Sequence, residues 1–130
     1  MIRCENVTRE FDGDGVFDVN IHVKGGEALG LLGPAGAGKS VLLRVLSGQL
    51  AAHEGRASIF GLECWSRRHQ IFKKAVYAPA APALEPGLTG EEYLKFFAQY
   101  HGLFNPQKAR DLSEKMDVAL TGQCHKMTIE

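Results

Sequence analysis

With 130 residues and a mass of 14.2 kDa, the chain has the size of one domain, long enough to enclose a core. Its 15 basic and 15 acidic residues cancel, and with no long basic block nucleic acid is not an expected partner; Arg67-Arg68-His69 reads as a solvated surface turn. No apolar run is long enough to span a bilayer, the segment Met1–Phe11 lacks the pattern of a secretory leader, and the odd, scattered Cys4, Cys64 and Cys124 read as free thiols of a reducing compartment.

In chain order, Ile2–Val7 reads as a short strand and Asp12-Gly13-Asp14-Gly15 as a turn. Phe17-Asp18-Val19-Asn20-Ile21-His22-Val23 alternates apolar and polar residues, the pattern of a half-buried strand. Lys24-Gly25-Gly26-Glu27 makes a second turn. It is followed by Ala28–Leu32, an almost continuous apolar run expected to form a strand buried on both faces. Next comes GPAGAGKS, Gly33 to Ser40, which matches the phosphate-binding loop G-x-x-x-x-G-K-[ST]. Glycines there let successive backbone N–H groups surround phosphate oxygens without side-chain collision. Lys39 would place a positive charge between the outer phosphates, and Ser40 would offer a hydroxyl to Mg²⁺.

Ser40–Leu50 reads as a helix with Val41, Leu42, Val45 and Leu46 on one side, its amino terminus facing the phosphates. An ordinary glycine-rich turn would leave Lys39-Ser40 unexplained. Gly55–Gly61 looks like a strand between turns, and Ala75-Val76-Tyr77 is expected to be extended before Pro79. Three prolines make Ala78–Leu88 a shaped loop. Thr89 and Glu92 have capping-box spacing, opening a helix with Tyr93, Leu94, Phe96, Phe97 and Tyr100 on a wide apolar face suited to helix packing. Asn105-Pro106 starts a second helix, with Ala109, Leu112 and Met116 on its buried side and Ala119-Leu120 extending it. Thr121–Glu130 offers no closing element, so the chain is expected to stop in mid-domain.

This order of features resembles the amino-terminal part of an ATP-binding cassette (ABC) transporter ATPase subunit, from about Ile2 through Lys126. The likeness is carried by Gly25-Gly26-Glu27, by GPAGAGKS followed by Val41-Leu42-Leu43, by Gly48, and by the segment Tyr77–Leu94 leading into a helical subdomain. The resemblance implies an α/β P-loop NTPase fold: a partial nucleotide-binding domain with antiparallel amino-terminal strands. Residues 1–88 would form the core and antiparallel part, and 89–130 the start of the helical subdomain. It further implies ATP and Mg as cofactors. Gly33, Pro34, Ala35, Gly36, Ala37, Gly38, Lys39, Ser40 and Val41 would hold the nucleotide, Ser40 would meet Mg, and Phe11 would stack on adenine. An apolar turn anchor is the alternative for Phe11. The partners implied are a membrane permease subunit and a second ATPase domain. The location implied is cytoplasmic, peripheral at the inner face of the membrane.

Ala80 departs from the family, which offers glutamine or glutamate directly after the Tyr-x-Pro step; alanine can neither ligate Mg²⁺ nor hold the attacking water. The family's signature loop, acidic strand end, general-base glutamate and switch histidine all come later in its order than any segment here. His125 comes too early to be that histidine, and Glu91 and Glu92 belong to a helix start. The sequence therefore predicts weak binding of ATP or ADP, negligible hydrolysis by the isolated chain, and self-association over an open sheet edge. Two readings compete: an interaction or structural module with a vestigial nucleotide site, and a small P-loop kinase. The kinase fits poorly, because more than thirty residues precede the motif and no Arg-rich lid follows it.

Overall fold

The computed structural model describes residues 1–80, 87–101, 104–118 and 120. The chain divides into two compact units, Met1–Tyr77 and Ala78–Glu130.

The first unit contains β1 (Ile2–Phe11), β2 (Asp14–Val23), α1 (Lys39–Leu46), β3 (Glu54–Ile59), β4 (Leu62–Glu63) and α2 (Arg68–Phe72). The strands form one antiparallel sheet in the order β2-β1-β3-β4. Phe11 pairs with Asp14 across a two-residue turn, and both turn residues have positive φ, 45° at Asp12 and 93° at Gly13. That is the tight hairpin turn that Asp-Gly favours, so β2 begins at Asp14, inside the segment expected to be all turn.

Bulges then reset the alternation of both strands. Asn6 and Asp18 take φ of 50° and 48°, and the register shifts between Cys4 and Val7 and again between Val7 and Arg9. Side chains hold this irregularity together. Asn6 Nδ2 donates to Asp18 Oδ1 at 2.7 Å, Asn20 Oδ1 accepts from Asn6 N at 2.9 Å, and Thr8 Oγ1 accepts from Asp18 N at 3.0 Å. Cys4 and Val7 are consequently both buried although three residues apart, while Phe17 is 55% exposed. Plain alternation through Phe17 therefore fails: the extra residue at the bulge sends Val16 inward in its place.

Helix α1 packs Leu42, Val45 and Leu46 with Cys4, Val7, Val16, Ala57 and Ile59 of the sheet, and Cys64 and Ile71 complete the core. The helix stops at Leu46, short of the expected Leu50, because Gly48 turns the chain with φ of 69°. A Cβ there would strike the Cys64 carbonyl and come within 2.7 Å of Arg68 Cβ, so only glycine allows this close approach. Arg67-Arg68-His69 opens α2 rather than forming a turn, with Ile71 anchoring the helix in the core. Ala75-Val76-Tyr77 belongs to no strand.

Ala28–Leu32 is the main correction. It forms no ladder with any described strand, and Leu29 and Leu32 are 53% and 96% exposed. A strand exists only through hydrogen bonds to a neighbour. The apolar sequence is suited to a doubly covered strand, but among the described residues only Leu31 packs against the core.

The second unit contains α3 (Gly90–His101) and α4 (Pro106–Lys115). The capping box forms as read. Thr89 N and Oγ1 both donate to Glu92 Oε2 at 2.8 Å, and Glu92 N donates back to Thr89 Oγ1 at 3.3 Å. Asn105 caps α4 by accepting from Lys108 N at 3.0 Å, with Pro106 in the first turn. Helix α4 ends before the expected extension, since Asp117 takes φ of 53°. Tyr93, Phe96 and Phe97 cluster on α3, with centroid separations of 4.7 and 5.6 Å. The expectations for Pro82, Pro86, Ala119 and Thr121–Glu130 lie outside the described residues.

Candidate functional site

Between Ala28–Leu32 and α1, Gly36 and Gly38 take φ of 83° and 76°, and Gly38 is the residue preceding α1. Gly38 is buried against the β1–β2 hairpin. A Cβ on it would overlap the Gly15 carbonyl and lie 2.6 Å from Val16 Cγ1. The loop closes through a bond from Ala37 N to the Pro34 carbonyl at 3.3 Å, and α1 starts with Leu42 N donating to the Gly38 carbonyl at 2.9 Å. The first turn of α1 carries no acidic residue, so no carboxylate of the helix itself offsets its positive end.

Lys39 folds back over the loop. Its Nζ donates to the Gly33 and Pro34 carbonyls at 2.7 and 2.6 Å. Ser40 stands exposed in the first turn, and Val41 is half-buried against the core. Ala35–Val41 share a concavity of about 410 Å³ with Phe11, Asp14 and Gly15 of the hairpin. The structure thus brings Phe11, 41% exposed, onto the same hollow as the loop, twenty-odd residues away in sequence. Gly33 and Pro34 serve that hollow indirectly, through the carbonyls that hold Lys39.

Asp14 and Gly15 are the lining residues that sequence reading assigned only to a turn. The one signal for Gly15 is spatial: its carbonyl lies where a side chain at Gly38 would project. Ala80 is exposed and belongs to the second compact unit. Among the described residues no cluster of three or more His, Cys, Asp or Glu could hold a metal. Ser40 alone therefore fits Mg²⁺ only together with oxygens brought by a phosphate ligand, the usual arrangement for this ion. No helix of the described residues is long and apolar enough to cross a membrane.

A glycine loop clamping its own lysine, closed onto a helix amino terminus and an antiparallel hairpin, defines a P-loop protein. The ABC transporter family profile matches residues 16–128, and the chain belongs to that family. An uncharacterized ABC transporter ATP-binding protein of Bacillus subtilis, YdbJ, is 35% identical over 111 residues, covering 82% of this chain and 34% of its own length. Nod factor export ATP-binding protein I of Burkholderia thailandensis is 36% identical over 103 residues, covering 78% of this chain and 34% of its own. Among solved structures, the ATP binding subunit of an ABC transporter superposes with a TM-score of 0.84 at 24% identity, covering 98% of this chain and 55% of that one. The ATP-binding cassette MJ0796, in a dimeric post-hydrolysis state bound to ADP and Pi, gives 0.79 at 18% identity, with 98% and 63% covered. These likenesses show the fold, including its antiparallel amino-terminal strands. The chain spans about a third of the length of these two curated relatives (34% of each).

Proposed function

We propose that this chain is the nucleotide-binding part of an ABC transporter ATPase, holding ATP or ADP with Mg²⁺ and coupled in the complete system to transport across a membrane. The observation that carries this reading is the shared hollow of Phe11 and Ala35–Val41 over Lys39. Loop amides, the Lys39 ammonium and the start of α1 would take the phosphates, Ser40 would complete the Mg²⁺ shell, and Phe11 would stack on the base. Residues 1–88 are assigned to the core and antiparallel part, and 89–130 to the start of the helical subdomain. A permease subunit and a second ATPase domain are the partners this reading requires, at the cytoplasmic face of a membrane. Names of relatives support this, one being an export ATP-binding protein and one solved cassette being dimeric.

Calorimetric titration of wild type and Lys39→Ala with ATP is the test. Weak binding that the substitution abolishes is expected; equal heats, or none for wild type at millimolar ATP, overturn the reading. A second reading, an interaction module that self-associates, is favoured by Leu32 and Val76, 96% and 75% exposed. That reading differs in requiring a vestigial nucleotide site, whereas self-association of the 130-residue chain is compatible with nucleotide binding and is part of the proposal.

A further inference from the structure

Arg9 and Phe11 lie two apart on β1, and a long side chain at one position can reach over the other. The Arg9 guanidinium carbon sits 4.6 Å from the Phe11 ring centroid, within the range of a cation–π contact. Arg9 Nη1 donates to the Ala51 carbonyl at 3.2 Å, tying the guanidinium to the segment before β3. Its Nε is buried without a hydrogen-bond partner. A buried donor without an acceptor is unfavourable, and the bond to Ala51 and the contact with the ring are what offset that cost in this placement. One face of Phe11 is thereby covered, while the ring still borders the hollow shared with Ala35–Val41.

We propose that Arg9 is a positioning residue: it backs the Phe11 ring so that the ring presents its other face to the base of a nucleotide whose phosphates lie against the glycine loop. This inference rests on the nucleotide-binding reading above and adds to it a residue that acts only on the base. Arg9→Met keeps the apolar stem and removes the charge, whereas Arg9→Lys keeps the charge.

The experiment is a double-mutant cycle of Arg9→Met and Phe11→Ala, with affinities for ATP and for inorganic triphosphate measured side by side. Arg9→Met is expected to weaken ATP binding roughly two- to fivefold, to leave triphosphate binding unchanged, and to be largely rescued by Arg9→Lys. On the Phe11→Ala background it should have no further effect. Equal weakening of ATP and triphosphate, or the same loss with and without Phe11, overturns the inference and leaves Arg9 a folding role. Unchanged ATP binding in Arg9→Met overturns it too, while Lys39-dependent binding by the wild type keeps the nucleotide reading. No binding of either ligand by the wild type overturns both.

Discussion

Lys39 directs two of its three N–H donors at carbonyls of its own loop, Gly33 and Pro34. The motif is legible in sequence because its chemistry is local: eight consecutive residues carry the glycines, the charge and the hydroxyl. Phe11 is different. Its place beside the loop depends on the hairpin meeting Gly38, a long-range contact that no spacing in the chain encodes and only family resemblance suggested. The two loop glycines should separate experimentally. Gly38→Ala puts a Cβ into Gly15 and Val16 at φ of 76°, and should cost about 2–3 kcal/mol in urea unfolding and abolish triphosphate binding. Gly36→Ala meets nothing within 4 Å, so only its φ of 83° is penalised, at about 1 kcal/mol. Equal costs would refute this account of the loop. Cys4 and Cys64 are the other buried reactive groups. Burial pushes the Cys4 thiol up to about 11; burial, then Cys4 and Glu63, push Cys64 up to about 12. Cys4 pairs with Ala57, whose carbonyl accepts from Cys64 N. The two cysteines therefore flank Ala57 across two strand spacings, about 10 Å, too far for a disulfide. Both should resist alkylation at pH 8 in the folded chain, mapped by peptide mass spectrometry, and react after denaturation. Because both values are raised, their contribution to stability is intact below pH 9 and lost as pH climbs toward 11 and 12.

At the scale of elements, legibility follows how local the determinants are. Both helices of the second unit start where their caps place them, since capping involves side chains within one turn. Plain alternation does not give the strand face at Phe17, because a bulge at Asp18 is fixed by its cross-strand partners, Thr8 and Asn6. Ala28–Leu32 differs from its strand-like sequence for a related reason, a ladder being a property of two segments. The caps give two measurable consequences. Asn105→Ala should destabilise α4 by about 1 kcal/mol, seen as faster amide exchange in its first turn. Backbone and side-chain bonds from Thr89 hold the Glu92 carboxyl below its ordinary value of 4.5. A lowered value means the capping contribution is present above pH 4.5 and is lost as pH falls through the folded value. Protection factors of the amides in the first turn of α3, referred to the intrinsic exchange rate at each pH, should fall in that acidic window, and Glu92→Gln should flatten the profile. An unchanged profile in the variant would exclude the carboxylate as its cause.

For the whole molecule, two incomplete features decide behaviour. Phosphoryl transfer needs charge neutralisation and a positioned water or acceptor. The loop offers the first, but Ala80 has no oxygen ligand, and Glu92 is engaged in a cap. Phosphate release by the monodisperse 130-residue chain should be negligible. Turnover near 1 per second that Lys39→Ala abolishes would overturn this. Apolar surface is the second feature. Leu29, Leu32 and Val76 are 53%, 96% and 75% exposed, and Ala28–Leu32 has no ladder partner among the described residues. Exposed apolar side chains on a segment with no ladder partner among the described residues lower their free energy by pairing with another copy. Light scattering over a concentration series should show mass growing beyond 14.2 kDa, and Leu32→Glu should shift the chain toward monomer. Since Leu32 lies outside the hollow lined by Phe11 and Ala35–Val41, the same variant should keep its ATP affinity within about twofold, a factor worth only ~0.4 kcal/mol. A wild-type chain that stays monomeric at high concentration and binds no apolar dye would mean that these side chains are covered within the molecule.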